Sequence, residues 1–360
     1  MNAAGPRLLF VPVSGPSGMG EYGRALAMAH AIKARVPQAS VQFVLSREAP
    51  YAAEAPFPAT LLSSSPTFHS PEVAALIREF QPHVVIFDNA GRTAQLRAAH
   101  CSGARVVFVS ARARQRRKAF RLRWMRLIDE HWIAYPQLLA GAPGFLERMK
   151  LGVFGRPRMR FLDPVLPGPD AAVAAGVLAR FGLRSNEYVA VVPGGGTEHP
   201  GMGAALRAIA GAASRLAQGG IRTVLVGLEA TEDDGSEPLL HRSPRMPVPE
   251  LVELLRNARM VVTNGGYTLL QALACDRPCL AVPLAKDQST RVDRCVAAGL
   301  ALRGEADAAA LERAVVDASG DFARLEAMRL ARERAGITNG ARTVADALAD
   351  LASRMPGSGR

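Results

Sequence analysis

Short apolar runs alternate with amphipathic stretches along this chain, break near its middle, and then begin again. In the first half the runs fall at residues 8–13, 41–46, 84–88 and 106–110. Runs of this length suit strands buried on both faces and are too short for helices. Between them, residues 22–36, 71–80 and 93–101 carry apolar positions at helical spacing. In the second half, strands are predicted at 188–192, 223–226, 260–263 and 280–282, alternating with helices at 204–217, 249–258, 269–274 and 290–298. From residue 308 onward the pattern is mostly helical. Strand–helix alternation builds parallel sheets, because a parallel return needs a crossover. The break holds Pro157, Pro164, Pro167 and Pro169. Proline lacks a donor and pushes its predecessor into extended backbone, so residues 155–170 read as an extended connection. The pattern therefore predicts two α/β domains, residues 1–163 and 171–337, then a C-terminal helix and tail over 338–360. Carboxyl ends of strands from both sheets are expected to face a central cleft.

Composition narrows the class. A length of 360 residues suits two domains, and 49% hydrophobic with 21% charged residues excludes global disorder. Cys101, Cys275, Cys279 and Cys295 lack paired metal spacing and read as packing thiols. No apolar stretch nears the roughly 18 residues of a membrane span, and the run at 8–13 is too short for a leader. A reducing cytoplasm is the expected location.

The formal charge of +12 changes the picture because much of it is local. Arg112, Arg114, Arg116, Arg117, Lys118, Arg121, Arg123 and Arg126 crowd into residues 112–126, with Phe120, Trp124 and Met125 between them and no acid. One reading is a solvated basic helix. The other is docking to an anionic membrane surface, with Arg116, Arg117, Lys118 and Arg121 as the cations and Trp124 as an inserted ring. The second would place the protein peripherally at the inner face of the membrane.

Two segments of the second half carry chemistry. Pro193-Gly194-Gly195-Gly196-Thr197 follows a predicted strand, where glycines let backbone amides approach phosphate oxygens; alone, it serves equally as a tight turn. Thr263-Asn264-Gly265-Gly266-Tyr267-Thr268 then leads into a helix carrying Gln271, and Asp287-Gln288 follows the next strand. These polar side chains all lie at strand carboxyl ends, where they can converge on a ligand with several hydroxyls; a helix N-cap is the structural alternative for Asp287.

The pattern Gly-Gly-x-Thr-x-x-Gln, then x-Pro, then Pro and Asp-Gln, resembles the donor-binding signature of UDP-glycosyltransferases. It is also similar to the corresponding region of the lipid II-forming peptidoglycan glycosyltransferase. The resemblance covers about residues 194–298. It implies the GT-B fold, two Rossmann-like domains facing a central cleft, and a nucleotide-sugar donor. By it, Gly194, Gly195, Gly196 and Thr197 lie against the donor diphosphate, with Gly265, Gly266 and Thr268 assisting. Gln271 meets the ribose, and Asp287 and Gln288 meet the sugar hydroxyls. Gln271 stands where the family usually has glutamate, and an amide accepts fewer hydrogen bonds than a carboxylate.

In the first half, Gly18, Gly20 and Gly23 spell a dinucleotide fingerprint, but they begin several residues past the first strand, and Ser46-Arg47 replaces the expected acid. In GT-B families this loop faces the acceptor, so Gly18 and Gly20 are assigned there, and Glu21 takes the position of a family histidine. Inverting transfer needs a base for the acceptor hydroxyl. Glu21 is the first candidate, Asp88 the second and His69 the third; helix-dipole compensation, an N-cap and an incidental loop histidine are the respective alternatives. No Asp-x-Asp element follows a strand, so no metal or cofactor is expected. The reading is an inverting, metal-independent hexosyltransferase-type enzyme acting on a lipid-linked or otherwise hydrophobic acceptor. A nucleotide-sugar hydrolase of the same fold and a non-catalytic donor-binding partner are the rivals. Nucleic-acid binding leaves the second-half signature unexplained.

Overall fold

The computed structural model describes residues 5–16, 19–194, 202–228, 237–243 and 246–353, without the side chains of Lys286 and Asp287. The chain divides into two compact units: Met1–Val165 together with Gly340–Arg360, and Leu166–Asn339.

The first unit is a parallel sheet of seven strands in the order β3-β2-β1-β4-β5-β6-β7. They are β1 (Arg7–Pro12), β2 (Ser40–Ser46), β3 (Ala59–Leu62), β4 (Val84–Asp88), β5 (Arg105–Ser110), β6 (Glu130–Ile133) and β7 (Arg158–Phe161). Alternation along each strand feeds two cores. Leu8, Phe10, Phe43 and Ile86 pack against the helices Gly20–Arg35 and Ala341–Ser353. Leu9, Val11, Val85 and Phe87 pack on the other face against Ser70–Phe80 and Thr93–Cys101. Each large apolar side chain fully removed from water contributes roughly 1.5–3 kcal/mol, so both faces must be covered. The C-terminal helix does this for the first unit, with Val344, Leu348 and Leu351 buried.

The second unit holds six parallel strands in the order β10-β9-β8-β11-β12-β13. They are β8 (Val189–Val192), β9 (Thr223–Val226), β10 (Leu240–Ser243), β11 (Met260–Asn264), β12 (Cys279–Val282) and β13 (Leu302–Arg303). One face packs on the helices Gly203–Gln218 and Ala308–Gly320.

Five strands go beyond the sequence reading: β3, β6, β7, β10 and β13. The connection at 155–170 contains no helix, and its first part docks as the edge strand β7, pairing Arg158 with Glu130 and Phe161 with Ile133. Strand β6 has polar residues inside it: Glu130 finds partners within the sheet, and His131 is held at one ring nitrogen while its buried Nδ1 has no partner among the described residues. Glu130 accepts from Trp132 Nε1 at 2.6 Å and from Arg160 Nε at 2.5 Å. His131 Nε2 lies 2.8 Å from Ser110 Oγ.

Candidate functional site

In each sheet the strand order reverses once, and ligands of open α/β sheets bind at such switch points, beyond the carboxyl ends of the strands. In the first unit the reversal lies between β1 and β4; in the second it lies between β8 and β11. Glu21 and Asp88 lie at the first, and Gly194, Gly265 and Gly266 with Thr268 and Gln271 at or just past the second, whereas His69 follows the edge strand β3.

Between β1 and β4, Glu21 occupies the first turn of Gly20–Arg35, where a carboxylate is favoured by the helix dipole. Asn89, just past β4, holds it: Asn89 Nδ2 donates to Glu21 Oε1 at 2.8 Å. The other end of that amide is also fixed, with Asn89 Oδ1 accepting from the Ala111 amide at 2.9 Å. Asn89 has φ +51°, a left-handed conformation that asparagine tolerates better than most residues. Glu21 therefore stands half-buried in a set orientation. The Tyr22 and Tyr51 rings stack beside this turn at 4.1 Å.

Asp88 differs from the sequence expectation. It is fully buried, and Arg24 takes both its oxygens, Nε to Oδ2 at 2.8 Å and Nη2 to Oδ1 at 2.6 Å. Burial pushes the carboxyl up, to about 6, against the pull of the arginine. Burial also works against the Arg24 charge, but Asp88 holds that guanidinium above its usual range. A carboxylate with no solvent exposure, held on both oxygens by one guanidinium, suits a structural anchor rather than the cleft-facing base expected from the sequence. His69 follows β3, with Nε2 2.9 Å from Ser64 Oγ and Nδ1 3.3 Å from Glu72 Oε1.

Gly18 lies outside the described residues. Gly20 is exposed, and a Cβ added at Gly20 or Gly23 would meet nothing within 4 Å. The close helix–strand packing served by the third glycine of the dinucleotide fingerprint is thus missing at Gly23.

Between β8 and β11, the organising residue is Asn264, which the sequence reading quoted without giving it a role. Its Oδ1 accepts from the Gly266 amide at 2.8 Å, closing a small turn at the end of β11. The surrounding glycines make room for it. A Cβ at Gly194, where φ is +92°, would stand 2.6 Å from Asn264 Nδ2, and one at Gly266 would stand 2.6 Å from Asn264 Oδ1. A Cβ at Gly265 would strike Val292 Cγ2 at 2.7 Å. Thr268 and Gln271 lie on the following helix, Tyr267–Ala274, and are buried. Gln288 sits on Lys286–Ala297, with its Oε1 accepting from the Leu284 amide at 2.9 Å. One turn on, Arg291 Nη1 donates to the Gly265 carbonyl and sets a cation against the glycine turn. Asp287 is in the first turn of that helix; its side chain, like Gly195, Gly196 and Thr197, lies outside what is described. Asn264 and Arg291 are the residues the sequence reading missed; the Asn-Gly-Gly step after a strand was the available signal for the first.

The basic segment also differs from expectation. It forms two short helices, Ala113–Ala119 and Leu122–Met125, rather than one amphipathic helix. Trp124 is 3% exposed, donates from Nε1 to Thr93 Oγ1 at 3.0 Å, and packs edge-on against Phe108. Phe120 and Met125 are buried too. Arg116 is tied to Glu147 at 2.7 Å and to the carbonyls of Ala140, Gly141 and Ala142. Trp124 as an inserted ring and Arg116 as a free cation are therefore corrected; Arg117 and Arg121 are exposed and Lys118 half-buried.

No protein-family model and no curated protein matches the chain. Solved structures do. The glycotransferase of kitacinnamycin superposes with a TM-score of 0.67 at 17% identity, over 97% of this chain and 100% of that one. The spinosyn forosaminyltransferase SpnP gives 0.69 at 14%, over 97% and 100%. Arabidopsis thaliana UGT89C1 in complex with UDP gives 0.68 at 16%, over 96% and 99%. At these identities the likeness establishes the fold, which is GT-B, an α/β architecture with two parallel sheets.

Proposed function

We propose that this protein is an inverting glycosyltransferase that moves a sugar from a nucleotide-sugar donor to an acceptor hydroxyl. The observation that carries the reading is the glycine turn built around Asn264 at the β8–β11 switch point. A side chain at Gly194, Gly265 or Gly266 would collide with Asn264 or Val292, so the turn can close only with glycine, and Arg291 brings a positive charge to it. A tight glycine turn leading into a helix N-terminus, with a cation beside it, suits a diphosphate. The comparisons support it: two of the structures are named for sugar transfer and a third was solved with UDP.

In this reading the second unit holds the donor. Gly194, Gly195, Gly196 and Thr197 approach the diphosphate, Thr268 assists, Gln271 serves the ribose, and Asp287 and Gln288 serve the sugar hydroxyls. The Gln288 Oε1 is occupied by Leu284, so its amide hydrogens are what it offers a ligand. The first unit holds the acceptor beside Glu21. As the acceptor oxygen attacks the anomeric carbon, Glu21 takes the hydroxyl proton; the bond from that carbon to the diphosphate oxygen breaks, and the electron pair leaves with the nucleotide diphosphate. Arg291 and the N-terminal end of the helix Tyr267–Ala274 stabilise the charge that develops there, so the step calls for no metal. Asn89 acts by orienting Glu21.

Titration with UDP, TDP and GDP followed by turnover of the matching nucleotide sugars tests this. Binding of one nucleotide, abolished by Asn264→Ala together with Arg291→Ala, is the expected result. Free sugar released at full rate without an acceptor would make the protein a hydrolase instead. Retained binding in the double variant would remove the donor assignment.

A further inference from the structure

Helix Phe145–Phe154 is amphipathic with its faces reversed. Phe145 is 73% exposed, Leu146 64%, Met149 49% and Val153 75%, while no residue of the helix is fully buried. At 100° per residue these four side chains share one arc of about 100°, forming a continuous apolar ridge along the outside of the first unit. The opposite side attaches the helix to the protein. Glu147 pairs with Arg116, and Lys150 Nζ donates to the Phe120 carbonyl at 3.0 Å. Both contacts reach the basic segment, so the helix is anchored at residues next in sequence to its exposed Arg117 and Arg121. Arg117 and Arg121 come from that segment, and Arg148 stands on the helix itself. Glu147 is the one acid of the helix, and Arg116 neutralises it.

An exposed apolar arc of this kind marks an interaction surface. Charge decides the occupant. A second copy of the chain would bring one set of arginines against another, whereas an anionic surface would meet them with opposite charge. We propose that the ridge Phe145, Leu146, Met149 and Val153, with Arg148 on the same helix and the exposed Arg117 and Arg121 of the segment that anchors it, docks the first unit on an anionic lipid bilayer. The apolar side chains enter the headgroup boundary and the arginines stay at the phosphate level. This site replaces Trp124, which is buried against Phe108 and Thr93. Docking needs no donor and no turnover, so it stands or falls apart from the proposed transfer.

The test is co-sedimentation of the full chain with vesicles of phosphatidylcholine alone and of phosphatidylcholine with phosphatidylglycerol. Binding to the second only, reduced at high salt, is the expected result. Leu146→Glu with Met149→Glu should lower that binding at least about tenfold, as should Arg117→Glu with Arg121→Glu. Both pairs are exposed, and unchanged thermal unfolding confirms that the fold is kept. Tryptophan placed at Phe145 should shift its emission to shorter wavelength on the anionic vesicles, while the emission of the parent protein, whose Trp124 and Trp132 are both buried, should hold still. A parent protein left in the supernatant at low salt overturns the proposal. So does binding that survives Leu146→Glu with Met149→Glu. A parent dimer that these two substitutions turn into a monomer, with no vesicle binding, would make the ridge a contact between copies instead.

Discussion

Glu21 and Asp88 lie together at the β1–β4 switch point, and substitution should separate their roles. Glutamine at position 21 keeps the carbonyl oxygen that accepts the Asn89 hydrogen bond, so the fold should barely change, by about 0.5 kcal/mol or less. What it loses is a proton acceptor. Transfer should fall by about two to four orders of magnitude, or roughly 2.7–5.5 kcal/mol of barrier, with donor affinity unaltered. Asp88→Asn should do the reverse. Its amide cannot satisfy both Arg24 contacts, and it leaves a guanidinium buried without a counter-charge. Breaking one partner of such a pair costs about 3–5 kcal/mol, which in a unit of this size lowers Tm by about 6–20 °C. Replacing both partners, Arg24→Met with Asp88→Leu, should recover most of the loss, because an apolar pair leaves no stranded charge. Calorimetry gives the stabilities, and a coupled assay for released nucleotide diphosphate gives the rates. If Asp88→Asn unfolds with the parent yet loses transfer, while Glu21→Gln turns over normally, the assignment of base and anchor is wrong.

Further expectations follow from the second unit and the buried polar groups. Gly266→Ala should break the Asn264 turn, since its Cβ would come within 2.6 Å of Oδ1; nucleotide affinity measured by titration should drop while a Gly20→Ala control keeps it. Cys275, Cys279 and Cys295 are buried, and burial raises each thiol, to about 11 for Cys275 and about 12 for Cys295. A disulfide reagent should therefore titrate Cys101 alone in the native protein and all four cysteines after denaturation. Burial, aided by Arg116, holds His131 down at about 3. A folded-state pKa below the unfolded value of about 6.5 means stability is full above pH 6.5 and declines toward pH 3, by about 1.4 kcal/mol per unit. His131→Leu with Ser110→Ala should flatten that part of the denaturation profile; an unchanged slope would show that His131 is not its source.

The sequence by itself determined the strands that read as pure apolar runs, β1, β2, β4 and β5 in one unit and β8, β9, β11 and β12 in the other. These lie within the sheets, away from the edge strands β3, β7, β10 and β13, and a strand buried on both faces is apolar except where a tertiary partner holds a polar side chain. It also determined where the glycine turns fall, because a bare backbone at a strand end can only be written with glycine. Tertiary structure decided the rest. Glu130 and His131 hide β6 in the sequence, and only Arg160, Trp132 and Ser110 make them tolerable inside a sheet. The edge strands are short, and β7, with arginine at alternate positions, is recognisable only once a neighbour supplies its hydrogen bonds. Asp88 and Glu21 are both acids at the head of a loop or helix; which one stays available depended on Arg24, one turn further along the same helix. The basic segment shows the same limit, since charge and aromatic content fix what a helix could face, but not which side the core takes. Burial of Trp124 against Phe108, and exposure of Phe145 and Leu146, were settled by packing that no local pattern encodes.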